Sequence, residues 1–220
     1  NYKLGNFQKA IDQYLKIEES KQVSSDLYYN IANSYYKLNN VANTIYYYEK
    51  ALILNPLNED ASNNLEFAKR MTIDNIEELP KTFLQKIEVN YIKILSYNQW
   101  AILAVIFSFI GAILFLLFYY STISSKKRIY FLTSVLSFVF LSISVFTSYN
   151  QYQKELNTQY AIIFVSKASV NNAPTSNADE VFILHEGTKI NIIYTVDNWK
   201  KIKLADGKIG WISADSLKEL

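Results

Sequence analysis

The sequence contains no cysteine. Disulfides, thiolate metal sites and cysteine nucleophiles are therefore excluded, and the absence suits a reducing or an oxidising compartment equally. Its single histidine, His185, leaves a His-pair metal site or an imidazole dyad without a second member. Five glycines leave little room for a Gly-rich phosphate loop, and no nucleophile motif or metal constellation is present. Charge is scarce too: 19% of residues are charged, against roughly 25% in soluble domains. A net charge of +2 gives no strong pull toward nucleic acid. The expectation is a chain that is not an enzyme, with no catalytic or metal-ligating residues, no cofactor and no nucleic-acid partner.

Half of the residues are hydrophobic, and they are concentrated in the middle. Residues 100–120 and 129–149 form two uncharged apolar runs. A bilayer core of ~30 Å needs about 20 helical residues, and each run meets that length. Trp100, Tyr119, Tyr120, Tyr130 and Tyr149 sit at the ends, where an interfacial aromatic belt belongs. The bland alternative, a buried core hairpin, fails because nothing else in the chain is large enough to cover it. The spacing predicts two transmembrane helices; Gly111 and Ser134, Ser137, Ser142 and Ser144 could let them pack closely, or are simply tolerated in lipid, which is the favoured reading. The link 121–128, STISSKKR, carries Lys126, Lys127 and Arg128. The positive-inside rule makes that loop cytoplasmic and puts both termini outside, in the periplasm of a bacterium.

Ahead of the runs, residues 30–40 (NIANSYYKLNN) continue into residues 44–56 (TIYYYEKALILNP). This pattern resembles the tetratricopeptide repeat (TPR): Ala32 and Tyr35 fall on its first helix, Tyr48 and Ala51 on its second, Pro56 on its terminal proline. Asn39 replaces the turn glycine and still tolerates positive φ. Thr44 replaces the mid-repeat alanine, which suggests looser packing of the two helices. Residues 2–11, with Gly5 and Ala10, read as the end of an earlier copy, so the chain is expected to begin inside a repeat. A helix from Glu59 to about Met71 reads as the cover of the last repeat. The resemblance implies a groove for an extended peptide along the first helices, at Tyr29, Asn30, Asn33, Tyr36 and Lys37; ordinary solvated helix positions are the alternative. Tyr46, Tyr47 and Tyr48 read as packing. After Glu77-Glu78-Leu79 and the break at Pro80, Phe83, Ile87, Tyr91 and Ile94 recur at helical spacing, as an interfacial amphipathic helix or an extension of the first span would.

Beyond residue 160 the period changes to that of strands. Runs at 161–165, 181–184, 189–194, 199–204 and 209–213 alternate with turn residues, Asp206-Gly207 being the sharpest hairpin signal. Five short strands predict a small barrel able to fold alone. The segments LHEGTKI (184–190), NWKKI (198–202) and DGKIGWI (206–212) resemble the bacterial SH3 family. Asn171 stands where that family usually has a basic residue before its first proline, which weakens transfer of a wall-peptide pocket. Trp211 is expected in the core. Trp199 and Tyr194 are the candidate contact surface, with Trp199 packed in the core beside Trp211 as the alternative, and His185 reads as a solvated loop residue.

The expected architecture is a multidomain membrane protein: an α-solenoid (TPR), a transmembrane helical hairpin and a small all-β SH3-like barrel. Its parts are 1–71 repeats with covering helix, 72–99 linker, 100–120 first span, 121–128 loop, 129–149 second span, 150–160 linker and 161–220 barrel. This order, with residues 69–80 and 184–189, resembles the BatE-type proteins of the Bacteroides aerotolerance (Bat) cluster. That resemblance implies a two-pass bacterial inner-membrane scaffold with von Willebrand factor A-type protein partners and a role in stress or oxygen tolerance. The alternative is a sensor whose SH3-like domain binds peptidoglycan.

Overall fold

Helix starts are marked by short polar side chains that accept orphan backbone N–H groups. Ser24 accepts from Leu27, Asn40 from Asn43 and Asn58 from Ala61. These caps open α2 (Ser25–Lys37), α3 (Val41–Leu54) and α4 (Glu59–Lys69); α1 (Phe7–Glu19) precedes them after a 3₁₀ turn, Tyr2–Leu4. Asn39 takes φ 55° in the α2–α3 turn, as a residue in the place of the turn glycine must. The computed structural model describes residues 1–77 and 79–220, with the side chains of Leu84 and Val89 also outside the described set. Glu78, one of the residues read ahead of Pro80, therefore lies outside the described residues.

The helices bury one face each. Ile11, Ile31, Ala32, Ile45 and Ala51 are at most 1% exposed. Tyr46, Tyr47 and Tyr48 are buried as expected, with Tyr47 stacked on Tyr35 at 5.7 Å between ring centroids. Thr44 does not open a gap. It is fully buried, and its hydroxyl donates to the Asn40 carbonyl at 2.6 Å. A threonine that turns its hydroxyl back onto its own helix presents a methyl to the neighbour, so an alanine site accepts it.

The C-terminal segment forms seven strands: β1 (Gln159–Ile163), β2 (Lys167–Asn171), β3 (Glu180–His185), β4 (Lys189–Val196), β5 (Trp199–Lys203), β6 (Ile209–Ser213) and β7 (Leu217–Glu219). All pairs are antiparallel, in the order β3-β2-β6-β5-β4-β1-β7. Inward residues from β1 to β6, among them Ile163, Val170, Leu184, Ile190, Ile202 and Ile212, meet in one core, so the sheet curls on itself. The five expected strands omitted β2 and β7. Lys167–Asn171 has only two apolar residues, Ala168 and Val170, and Leu217–Glu219 is too short to show alternation.

The largest departure concerns independence. Residues 1–79 and 158–220 form one compact unit, and residues 80–157 form a second. In the first, β1 is buried on both faces. Ala161 and Ile163 enter the barrel core, while Ile162, fully buried, enters the core of the repeats. Phe164 meets Tyr46 edge-on at 5.7 Å, and Lys218 lies 4.4 Å over the Tyr46 ring. Lys189 pairs with Glu49 at 2.6 Å. At Gly187 (φ 84°) an added Cβ would come within 2.8 Å of Val41 and 2.9 Å of Thr72, so only glycine permits this approach. The stretch after α4 also belongs here. Asp74 receives Thr188 Oγ1 at 2.6 Å and the His185 backbone N–H at 2.7 Å, and lies 2.7 Å from His185 Nδ1. His185 is therefore a fastening, not a solvated loop residue: a carboxylate brought from 111 positions upstream meets it. The barrel is a docked half of one unit.

The second unit begins with α5 (Phe83–Ile87) and a π turn, Glu88–Ile92. The expected amphipathic helix is broken there, although Phe83, Tyr91 and Ile94 are exposed as that reading required. Ser96 and Gln99 form a capping box that opens α6 (Tyr97–Tyr120), and α7 runs from Ser124 to Asn157. Both helices are long and apolar enough to cross a membrane. They extend beyond the expected bounds of 100–120 and 129–149. The loop read as 121–128 shrinks to three residues, because Lys126, Lys127 and Arg128 are helical. Small residues make the contact between the helices. Ser134 donates to the Gly111 carbonyl and Ser137 to that of Phe107, and Ser144 is buried. Ser142 instead turns outward and bonds its own helix at Phe138.

Candidate ligand groove and the aromatic face of the barrel

A groove of about 450 Å³ opens along the repeats. Positions 29, 33, 36 and 37 recur at i, i+4, i+7 and i+8, so Tyr29, Asn33, Tyr36 and Lys37 share one face of α2. Tyr48 of α3 forms the floor, Asn64 and Phe67 of α4 form the opposite wall, and Tyr2 closes one end. Four of the five expected groove residues thus come together. Asn30 does not: its side chain is exposed off the lining, and its carbonyl accepts from Ser34 Oγ.

Asn33 has a different part from the one expected. Its carboxamide oxygen accepts from the Tyr48 hydroxyl at 2.6 Å and from Asn64 at 3.1 Å. Asn64 also reaches the Tyr29 hydroxyl at 3.3 Å. This network ties three helices together along the groove, so Asn33 is structural. Burial raises the Tyr48 phenol above its ordinary range, so at neutral pH it stays a hydrogen-bond donor. Lys37 stands exposed at the rim, with no carboxylate partner among the described residues. The groove therefore offers aromatic walls, amide donors and acceptors, and one free cation. Such a surface suits an extended polypeptide with an acidic or terminal carboxylate group.

Tyr2, Tyr48, Asn64 and Phe67 were not anticipated. For Asn64 and Phe67 the signal was present, since i, i+3 spacing puts both beside the buried Leu65 and Ala68 stripe of α4. Tyr48 was read only as packing, and it is packing: it is 1% exposed, and its hydroxyl donates to Asn33 under the groove.

The barrel offers a second surface. On β6, Gly210 and Ile212 face inward, so parity turns Trp211 outward. Trp211 is half-buried, contrary to the expectation of a core residue; Gly210 is the residue that makes room, since a Cβ there would lie 2.4 Å from Val170. Trp199 and Lys201 lie on the same face of β5, and the bulge after Ile192 brings Tyr194 opposite Lys201. Tyr194 meets Trp211 edge-on at 6.5 Å, and Lys201 lies over the Trp211 ring at 5.8 Å. The expected contact residues Tyr194 and Trp199 are thus joined by Trp211, which was assigned to the core by its size and not by its parity. Among the described residues no group of three or more His, Cys, Asp or Glu side chains gathers as metal ligands would.

No curated protein matches the chain. Residues 25–58, which are α2 and α3 with their flanks, match the family model of the tetratricopeptide repeat. Residues 167–218 match that of the bacterial SH3 domain. The chain therefore carries a tetratricopeptide repeat and a bacterial SH3 domain, separated by two apolar helices.

Proposed function

We propose that this chain is a non-enzymatic, membrane-anchored adaptor that captures an extended protein segment in the groove of its repeats. The groove carries the proposal: aromatic walls, amides and a free Lys37 converge on about 450 Å³ of open space. Membrane anchoring is supported by α6 and α7. Only 11% and 17% of their most apolar windows are buried, where the core helices of a soluble protein would be largely covered. The two apolar helices form a hairpin across a bacterial inner membrane, with the turn at 121–123 and the adjoining Lys126–Arg128 in the cytoplasm and both termini in the periplasm. The order of modules supports a scaffold of the Bat type, with von Willebrand factor A-type membrane proteins as partners and a part in oxygen or stress tolerance. A second reading, a peptidoglycan-binding sensor, is favoured by one observation, the outward row of Tyr194, Trp199 and Trp211 beside Lys201.

Capture from envelope extracts in mild detergent tests the groove. Lys37→Ala combined with Tyr36→Ala is expected to weaken retention of a protein partner by tenfold or more, since aromatic anchors and charge-assisted bonds dominate such contacts. Lys37 is exposed and Tyr36 only partly buried, so the thermal midpoint should fall modestly and the variant stay folded at the temperature of capture. Retention unchanged by the pair, or muropeptides recovered in place of protein, contradicts the groove reading. Asn33→Ala is unsuited to the test, because it also removes the acceptor of Tyr48 and Asn64.

A further inference from the structure

The turn between α6 and α7 carries a cleft that neither the repeats nor the barrel explains. It has a volume of about 350 Å³ and is lined by Phe118, Ser124, Lys127, Arg128 and Phe131. Positions 124, 127, 128 and 131 lie on one stripe of α7, so hydroxyl, ammonium, guanidinium and ring line up along one side. Phe131 packs against Phe118 at 5.4 Å between centroids, and Lys127 Nζ lies 5.2 Å over the Phe118 ring. The cleft is therefore cationic at its outer end and aromatic at its inner end.

Its charge is uncompensated. The sequence has no Asp or Glu between Glu88 and Glu155, so no carboxylate lies anywhere on α6 or in the turn. Among the described residues, Lys126, Lys127 and Arg128 have no ion-pair partner. They are free to meet an anion from outside the chain. Arg128 offers a planar fork suited to phosphate oxygens, Lys127 a second cation and Ser124 a hydroxyl. A free anion would use only this polar end. The aromatic end, continuous with the exposed apolar surface of Leu117, Phe131 and Leu132, suits hydrocarbon.

We propose that this cleft seats one anionic phospholipid, its phosphate held by Lys127 and Arg128 and its acyl chains running past Phe118 and Phe131. The site rests on the membrane reading of α6 and α7. In that setting it fixes the depth of the turn and makes the adaptor prefer anionic bilayers.

The test uses the full chain and two arms. Flotation of the chain reconstituted with phosphatidylcholine vesicles addresses the membrane reading alone; a chain that stays out of the vesicles overturns that reading and the site with it. In the second arm the detergent-solubilised chain is titrated with phosphatidylglycerol and with phosphatidylcholine, and bound lipids are counted by native mass spectrometry. One phosphatidylglycerol should be retained in preference to phosphatidylcholine. A hydrogen bond to a charged group is worth about tenfold or more, so Lys127→Gln with Arg128→Gln should lower that preference by at least about tenfold. Lys9→Gln with Lys16→Gln, an equal loss of charge on α1, should leave it unchanged. Inorganic phosphate should not displace the lipid. Equal retention of the two lipids, loss of preference in the α1 control, or displacement by inorganic phosphate would overturn the site while leaving the membrane reading standing.

Discussion

Replacing Ile162 with alanine is expected to destabilise the repeats and the barrel together, by about 2–5 kcal/mol. Ile162 is fully buried, yet its neighbours are helical residues and not the strand residues beside it. Truncation leaves a cavity between α3 and β1, and close-packed surroundings recover little of the lost contact. The loss should appear in one cooperative transition. In a Trp100→Phe background, helical circular dichroism and the fluorescence of Trp199 and Trp211 should both shift to lower temperature by the same amount. A barrel that folded by itself would answer differently: the helical signal would fall and the tryptophan signal would hold. Coincidence of the two probes is the expected result, and their separation would return the barrel to the status of a free module.

Asp74→Ala is the second large effect. Asp74 accepts from the Thr188 hydroxyl and from the His185 backbone, and Thr188 is 5% exposed. Removing the acceptor leaves two partly or fully buried donors unmatched, at about 1–3 kcal/mol each, so a loss of about 2–6 kcal/mol is expected. The effect has a pH signature. Burial alone would raise the Asp74 carboxyl, but the bonds from Thr188 and His185 outweigh it and hold the carboxyl below its ordinary value of 3.8. A folded value below the unfolded one means the contribution is complete above the unfolded value and is lost as pH falls through the folded one. The gap in thermal midpoint between the parent chain and Asp74→Ala should therefore be at its full size at about pH 5 and narrow below 3.8. The other lowered carboxyls, at Glu18, Glu88 and Asp206, are common to both proteins and cancel in the difference. A gap that stays constant into strong acid would show that Asp74 acts through packing and not through its charge.

Both effects arise where the sequence was least informative. The helix pair, the apolar hairpin and the Asp206-Gly207 turn were legible because each is set by short-range chemistry: periodicity, hydrocarbon length, turn residues. The docking of barrel on repeats was not, because its partners lie from 111 (Asp74 and His185) to 172 (Tyr46 and Lys218) positions apart across the apolar hairpin. One local signal did exist. Residues 161–165, AIIFV, show no alternation, as a strand buried on both faces does not, whereas a strand of an isolated barrel needs a polar side. Gly187 was a second signal, since Glu186-Gly187 reads equally as a turn and as a point of close backbone approach. In the groove, the α2 positions followed from the repeat register, while the inward hydrogen bonding of Asn33 depends on Tyr48 and Asn64, which no spacing within α2 encodes. Trp211 was misplaced because its size was weighed above the parity that the flanking Gly210 and Ile212 impose.

The absence of cysteine makes one experiment clean enough to test the central claim, that repeats and barrel form one unit on one side of a membrane-spanning hairpin. Ser62→Cys, Lys208→Cys and Ser125→Cys each introduce a single thiol, at an exposed site on α4, next to the β5–β6 turn and beside the basic end of α7. With an impermeant thiol reagent on intact spheroplasts, Ser62→Cys and Lys208→Cys should be labelled equally, and Ser125→Cys only after the membrane is opened. Labelling of Ser62→Cys and Lys208→Cys from opposite sides would contradict the single unit, and labelling of all three from outside would contradict the spanning hairpin.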